Sequence, residues 1–297
     1  MIKNYFLVAV RNLRRHKLHS SINIIGLAIG MTCCILITLF VQFELSYDTQ
    51  NKNAARIHRL VVDLEANDWA ISAFPLGALL KENFPEVESF TRIKPAEPFL
   101  MNREADIRYQ QKIFYADATV FDILDINLIK GNPETALAEI NSIVMTPERA
   151  KAYFGNQDPI GKTLSMANDS TLFQVTGIFE PLPANSHVHI DVMVSSDNFT
   201  PMRPDFERAW SYLTNHYTYL LLPDNIDHVD FGKKVSAFLD EYHEVPEDQP
   251  GNIIKLQPLT SIHLASDRGL EIEANGNMNT VYIFSAIAFF ILIIFPG

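Results

Sequence analysis

Cysteine is nearly absent from this 297-residue chain, and its two cysteines, Cys33 and Cys34, are adjacent within one apolar run. No disulfide framework is therefore expected in the rest of the chain, and both thiols are interpreted as apolar filler. Charge is also missing from that run, SSINIIGLAIGMTCCILITLFVQF (20–43). A helix of this length reaches about 36 Å and crosses a hydrocarbon core of roughly 30 Å. Residues 20–43 are therefore predicted to form transmembrane helix 1.

A cleaved signal peptide is the alternative for this run, but its apolar region usually has only about 7–15 residues. Acidic residues are missing before Glu44, whereas residues 1–19 contain five of the 24 basic ones. Basic residues stay on the cytoplasmic side, so we expect residues 1–19 inside the cell and residue 44 onward exported. The exported part has 19 basic against 35 acidic residues, which argues against a nucleic-acid partner.

Residues 1–19 have the pattern of a basic amphipathic helix at the membrane surface. One stripe is apolar, formed by Ile2, Phe6, Ala9, Val10 and Leu13. The other side is basic, with Arg11, Arg14 and Arg15. Such a helix lies in the interface with its apolar stripe in lipid. A simple topology signal is the open alternative.

Gly26 and Gly30 are spaced four residues apart within transmembrane helix 1. Small residues at this spacing allow a neighbouring helix to approach closely, so the pair is predicted to be a packing site. Glycine is also common in membrane helices for no specific reason, and that alternative stays open.

A second apolar run, VYIFSAIAFFILIIF (281–295), lies near the end of the sequence. Fifteen residues reach about 22 Å, which is short of a full crossing. Residues 280–297 are therefore expected to be the start of transmembrane helix 2, truncated, and the sequence is expected to be a fragment.

Between the two apolar runs, residues 44–279 alternate short strand-like and helical patterns, which predicts an α+β domain of mixed small subdomains. The predicted helices cover 74–84, 146–155 and about 227–242. The predicted strands are 56–62, 107–115, 142–146, 172–179, 188–194, 217–222 and 252–257. The strand–helix–strand unit at the end is expected to resemble the one at 56–94.

The segment GNQDPIGKT (155–163) has the letters of a phosphate-binding loop but not its spacing. Five residues separate Gly155 from Gly161, where a P-loop has four, and the preceding residues have the pattern of a helix instead of a strand. The two glycines are therefore interpreted as turn residues. HEVPE (243–247) lacks the second histidine of a zinc-protease motif, and no serine is flanked by glycines as in a nucleophile elbow.

In HVHID (187–191), strand alternation would place His187, His189 and Asp191 on one face. A metal site there is the minority interpretation, since a solvated face is the more common outcome. No catalytic residue, cofactor or metal ion is assigned from the sequence.

Several segments together resemble one family. The segment VRNLRRHKLHSSINIIGLAIGMTCCILI, followed by ELSYD, resembles the start of FtsX-like permeases of ABC transporters, of the group found in Bacteroidota. The exported part resembles the MacB-like periplasmic core domain. The segments that carry this second resemblance are FPEVESFTRI (84–93), FYADATVFDIL (114–124), KGNPETAL (130–137), YFGNQDPIGKTL (153–164) and LQPLTSIHL (256–264).

The resemblance implies the permease subunit of an ABC transporter in the bacterial inner membrane, with residues 44–279 periplasmic. ATP would be hydrolysed by a separate cytoplasmic ATPase, and membrane helices would transmit its cycle to the periplasmic domain for export or efflux. Arg11, Arg14 and Arg15 would contact that ATPase or anionic lipid. A second permease copy and periplasmic proteins are further expected partners.

Two other functions share this topology. A transmembrane sensor with an exported ligand-binding domain has the same order of helices and domain, and topology alone does not separate the two. A regulatory FtsX-like subunit that controls a cell-wall enzyme is the other alternative.

Overall fold

A computed structural model describes residues 11, 15–64, 67–96, 99–102, 107–166, 171–198, 216–244, 251 and 253–294. The chain divides into an apolar helical unit, formed by residues up to Ser46 and from Gly276 onward, and an α+β unit, Tyr47–Asn275. The helices are α1 Lys17–Leu45, α2 Leu76–Asn83, α3 Val120–Ile123, α4 Pro147–Phe154, α5 His228–Tyr242, α6 Ile262–Ala265 and α7 Met278–Ile294. Short 3₁₀ turns lie at Ser196–Asn198 and Leu259–Ser261.

Thirteen strands of the described residues join one sheet in the α+β unit. The strands are β1 Ile57–Leu64, β2 Asn67–Trp69, β3 Ser89–Pro95, β4 Phe99–Asn102, β5 Ile107–Gln110, β6 Ile113–Ala116, β7 Leu128–Lys130, β8 Ser142–Met145, β9 Thr163–Met166, β10 Leu172–Phe179, β11 Val192–Ser195, β12 Tyr217–Leu221 and β13 Ile253–Pro258.

In the helical unit, α1 has 29 residues and is long and apolar enough to cross a membrane. It contains the predicted run 20–43, and most of its apolar side chains are exposed. Helix α7 is shorter, with 17 residues. It begins after Asn277, whose side-chain oxygen accepts a hydrogen bond from the Asn279 amide at 2.8 Å. The two helices pack against each other, with the rings of Phe40 and Phe284 5.2 Å apart.

The first half of the α+β unit is built from two interleaved strand–helix–strand units. The strand order β13-β1-β12-β3 is antiparallel throughout, so β12 lies between β1 and β3, and β1 lies between β12 and β13. This is the ferredoxin-like split arrangement. Helices α2 and α5 pack on this sheet through a shared apolar core that includes Leu60, Leu80, Leu220, Val235 and Ile254.

Close packing explains why helix α5 carries a glycine. A Cβ atom on Gly232 would lie 2.9 Å from the carbonyl oxygen of Ile254 in β13, so only glycine allows α5 this near the sheet. The helix starts at Asp227, whose carboxylate accepts hydrogen bonds from the amides of Val229 and Asp230 at 2.9 and 3.1 Å.

The second half is inserted between β3 and β12 and extends the same sheet in the order β6-β11-β8-β10-β9-β4-β5. Strand β6 pairs with β11 and β8 pairs with β10 in parallel, whereas the other pairs among the described strands of this half are antiparallel. Helix α4 packs on it through Tyr153 and Phe154, and a third core joins both halves through residues such as Ile93, Phe121 and Tyr219.

Most strands and helices expected in the exported part are confirmed, including helices α2, α4 and α5 and the resemblance between the two strand–helix–strand units. Two expectations are wrong. The run 107–115 is split into β5 and β6 at Gln111, a buried residue whose side-chain amide donates to the Tyr153 hydroxyl at 2.8 Å. The strand expected at 188–194 begins only at Val192, so residues 187–191 are not a strand.

Candidate functional site

The predicted site residues of the helical unit lie on or beside α1. Arg11 and Arg15 have helical backbone and are exposed, whereas Arg14 lies outside the described residues. Gly26 is half-buried and Gly30 is buried. One helical turn further, the buried Cys34 places its Sγ 3.5 Å from the carbonyl oxygen of Ala288 in α7. Cys34 thus contacts α7, and Gly30 precedes it by one helical turn on the same face of α1.

The chain that follows α1 enters the α+β unit at Tyr47 and Asp48. The ring of Tyr47 stacks on His263, with centroids 3.3 Å apart. Asp48 is buried and has a positive φ of 57°, a conformation that few residues other than glycine adopt without local support. Its amide donates to the carbonyl oxygen of Asn185 at 2.9 Å. This position is therefore determined by specific contacts rather than by backbone preference.

The carboxylate of Asp48 binds His187. Its Oδ1 lies 2.9 Å from Nδ1 of His187, and the His187 amide donates to both carboxylate oxygens at 3.2 and 3.3 Å. On the other side of the ring, Nε2 lies 2.7 Å from the hydroxyl of Tyr219 in β12. Burial raises the pKa of Tyr219, so its hydroxyl keeps its proton. Asp48, His187 and Tyr219 form one buried hydrogen-bonded chain.

The chain that leads to α7 is held by Arg59, a fully buried residue of β1. Its guanidinium binds both carboxylate oxygens of Glu271 at 2.6 and 2.7 Å and also donates to Gln257 at 2.7 Å. Burial works against the charged form of Glu271, but the hydrogen bonds and charge of Arg59 outweigh it and lower the pKa of this carboxyl. The neighbouring Leu270 carbonyl accepts from the Tyr217 hydroxyl at 2.8 Å.

Two residues further, Glu273 binds the inserted half of the sheet. Its Oε2 lies 2.9 Å from Nδ1 of His189, and its Oε1 accepts from the His189 amide at 3.0 Å and from Lys112 Nζ at 2.6 Å. Burial again opposes ionisation, yet the hydrogen bonds from Lys112 and His189 lower the pKa of Glu273. The same short segment, residues 187–189, therefore contacts both chain segments that run to the helices.

The expectation that His187, His189 and Asp191 share a face is wrong, because residues 187–191 are not extended as a strand. His187 binds Asp48 and His189 binds Glu273, while Asp191 pairs with Arg149 at 3.3 Å. Among the described residues no group of three or more His, Cys, Asp or Glu side chains could hold a metal ion.

The segment GNQDPIGKT is a turn between α4 and β9. Gly155 and Gly161 have positive φ values of 61° and 82°, which confirms their interpretation as turn residues. The amide of Gly161 donates to the carbonyl oxygen of Val175 in β10 at 2.8 Å, so the turn is fixed to the sheet.

A small cleft lies beside the Asp48–His187 pair. Its polar residues mostly bind each other: Asp48 binds His187 and Ser186, and Asp125 binds Lys52 at 2.9 Å. This arrangement stabilises the chain after α1 and is not the convergent set of groups that a small ligand would need.

The family comparison covers most of the chain. Residues 20–237 match the family model of the MacB-like periplasmic core domain, so the chain belongs to that family. The matched range begins inside α1 and ends in α5. The protein thus carries the periplasmic core domain of a MacB/FtsX-like ABC transporter permease, with one long apolar helix before it. A search of curated proteins found no match.

Solved structures with a similar fold include a domain of a protein described as a permease, from Porphyromonas gingivalis. It has 20% identity and a TM-score of 0.60, with 75% of this chain and 100% of that chain covered. The periplasmic region of MacB from Actinobacillus actinomycetemcomitans has 12% identity, a TM-score of 0.49 and 71% and 91% coverage. The extracellular domain of the noncanonic ABC-type transporter YknZ from Gram-positive bacteria has 13% identity and a TM-score of 0.47, with 68% of this chain and 99% of that chain covered.

Sequence reasoning found some of these residues but not their roles. Asp48 lies in the ELSYD segment that carried the family resemblance, and both histidines lie in HVHID, which was interpreted as a strand. Glu271 and Glu273 had no sequence signal, because carboxylates close to an apolar run are usually solvated and only their buried partners distinguish them.

Proposed function

We propose that this chain is the membrane-anchored periplasmic part of an ABC transporter permease that a separate cytoplasmic ATPase drives for export or efflux. The observation that carries the proposal is the extent of the family match, which starts at residue 20 within α1 and continues through most of the α+β unit. The proposal places the protein in the bacterial inner membrane, with residues 1–19 in the cytoplasm and residues 44–279 in the periplasm.

The α+β unit contributes binding and mechanical stability in this proposal, not chemistry. Its buried charged groups are engaged in ion pairs and hydrogen bonds, such as Arg59 with Glu271 and Arg92 with Asp117. ATP hydrolysis takes place in the partner subunit, and a displacement of α1 reaches the periplasmic domain along the chain at Tyr47 and Asp48. Their specific contacts with His263 and His187 support this route.

The cytoplasmic end provides the contact with the partner. Arg11 and Arg15 are exposed, and together with Arg14 they supply positive charge for the ATPase or for anionic lipid headgroups. Gly26 and Gly30 provide the close packing of α1 within the membrane. A second permease copy and periplasmic proteins complete the proposed assembly.

The test uses the full chain, expressed with a cytoplasmic ABC ATPase from the same genome and reconstituted in lipid nanodiscs. We expect the two to co-purify, and the charge reversal Arg11→Glu/Arg14→Glu/Arg15→Glu to lower the bound ATPase by at least about tenfold, since like charges at a contact cost several kcal/mol. The matched control reverses three exposed lysines of the α+β unit, Lys52, Lys151 and Lys233, and should leave the complex intact.

Topology is measured on the same preparations, because basic residues also set orientation. A cysteine at the exposed Ala274, in a background without Cys33 and Cys34, should react with a membrane-impermeant maleimide in intact spheroplasts. Co-purification with a histidine kinase in place of an ATPase would contradict the proposal in favour of the sensor. An ATPase complex that binds and activates a wall hydrolase would replace export with the regulatory function.

A further inference from the structure

Residues 187–189 occupy a particular place in the α+β unit, because two distant parts of the chain are bound to them. Asp48 comes three residues after the end of α1 at Leu45, and Glu273 comes five residues before the start of α7 at Met278. His187 binds the first carboxylate and His189 binds the second, each through both its ring Nδ1 and its backbone amide.

The two contacts have the same chemistry. In each, one carboxylate bridges the ring nitrogen and the amide of the same histidine, with Nδ1–oxygen distances of 2.9 Å. Hydrogen bonds to a carboxylate are stronger than those between neutral groups. Val188, the residue between the histidines, is buried and packs in the core that joins both halves of the sheet. The segment 187–189 is therefore anchored in the core by its middle residue, while its first and last residues bind the two carboxylates.

Further contacts connect this segment to each half of the sheet. His187 reaches β12 of the ferredoxin-like half through Tyr219, whereas Glu273 also binds Lys112, which precedes β6 of the inserted half. No other described segment contacts both Asp48 and Glu273 in the hydrogen bonds found. The two chains that continue into the membrane helices are thus both joined to one three-residue segment at the boundary between the two halves.

We propose that His187, Val188 and His189 form a clamp, which makes the segment that follows α1 and the segment that precedes α7 move as one body. The role of the clamp rests on the proposed function. A displacement of either helix would move both segments and would be transmitted to the boundary between the two halves of the sheet. His187 and His189 are positioning residues in this mechanism. Without the clamp, a displacement of one helix would move only the segment adjacent to that helix.

The test measures whether loosening one chain loosens the other, and it requires no ATPase. Hydrogen exchange is followed in the full chain in nanodiscs, in peptides covering residues 47–51 and 271–275. Glu273→Gln weakens the contact with His189 while keeping the shape of the side chain. We expect exchange to rise by about fivefold in both peptides, because local opening energies follow the contacts that hold a segment. His187→Gln should produce the same pair of changes.

The matched control is Glu86→Gln, which removes the charge of another partly exposed glutamate with a lysine partner, Lys234 at 2.6 Å. It should leave both peptides unchanged. If Glu273→Gln does not fold, His189→Gln breaks the same contact from the other side. A rise confined to residues 271–275 overturns the clamp, because the two anchors are then independent. A rise that includes the central strand β8 also overturns it, since the effect is then general instability. Neither result affects the proposed ABC partner.

Discussion

At the scale of single residues, the α+β unit contains a few largely buried ion pairs. Arg92 takes part in one such pair. Its guanidinium binds both oxygens of Asp117 at 2.8 and 2.9 Å, donates to the carbonyl oxygen of Phe74 at 2.9 Å, and lies over the Phe74 ring at 3.8 Å. Breaking such a pair leaves a buried charge without a partner, which costs far more than the pair itself contributes.

Arg92→Met should therefore lower the free energy of unfolding of the α+β unit by about 3 kcal/mol, because Asp117 stays buried and loses its counter-charge. Urea unfolding followed by tryptophan fluorescence measures this difference. Lys233→Met is the control, because the ion pair of Lys233 with Asp230 is largely exposed to solvent. Equal midpoints for the two variants would contradict the assignment of Arg92 as a stabilising residue.

At the scale of elements, the helical unit shows what a sequence spacing can and cannot define. The four-residue spacing of Gly26 and Gly30 indicated a packing face without naming the helix that covers it. In the structure the buried Cys34, one helical turn after Gly30, contacts α7. A larger side chain at Gly30 should hold the two helices apart, because small residues permit their close approach.

This arrangement predicts a cross-link. In a Cys33→Ala background, Ala288→Cys should form a disulfide with Cys34 on mild oxidation in membranes, because Cys34 Sγ lies 3.5 Å from the carbonyl oxygen of residue 288. Adding Gly30→Leu should slow the reaction by about tenfold, whereas Ala28→Leu, an exposed position of α1, should leave it unchanged. Cross-linking at the same rate in both variants would remove the packing role of Gly30.

In the α+β unit, elements were predicted well where apolar residues recur at a regular spacing. They were predicted poorly where contacts with distant segments determine the backbone conformation. Helix α5 has apolar residues at helical spacing, an aspartate cap and a polar opposite face, so local sequence is enough to indicate it. Residues 188–190 also looked like a strand, because Val188 and Ile190 alternate with polar residues. In the structure they lie in an irregular segment whose histidines bind Asp48 and Glu273, partners far away in sequence that no local pattern contains.

At the scale of the whole molecule, stability should depend on pH in two steps. Burial lowers the pKa of His216 to about 2, with Lys94 and Arg92 acting in the same direction, and burial also lowers the pKa of His58. Below the ordinary value of 6.5 the unfolded chain binds protons that the folded chain does not. As pH falls below 6.5, each such histidine therefore lowers the free energy of unfolding by about 1.4 kcal/mol per pH unit until its folded pKa is reached.

The second step belongs to Glu271 and Glu273, whose folded pKa values are lowered. Their stabilisation is complete above the ordinary value of 4.5 and is lost as pH falls through the lower folded values. We expect His216→Phe to lower the slope of the first step between pH 6.5 and about 5, while the contribution of Glu271 and Glu273 at lower pH remains. Urea midpoints at a series of pH values measure both. An unchanged first step would show that His216 is not buried in its neutral form.

Taken alone, the sequence determined the features that depend on local composition. An uncharged run is long enough to cross a membrane, and its basic flank indicates orientation. Glycine, proline and cap residues mark the ends of helices. The α+β class and the doubled strand–helix–strand pattern follow from periodicity, and several motifs together indicated the family. None of these features requires knowledge of which distant residues meet.

Only the tertiary structure decided how the two strand–helix–strand units interleave, how a second half extends their sheet, and which carboxylates are buried against which cations. Asp48, His187 and Glu273 are separated by 139 and 86 positions, so their contacts exist only after the sheet between them has formed. The local sequence does not distinguish a solvated charged side chain from one that is buried in an ion pair. Burial and a partner within 3 Å distinguish the two, and both arise from long-range packing.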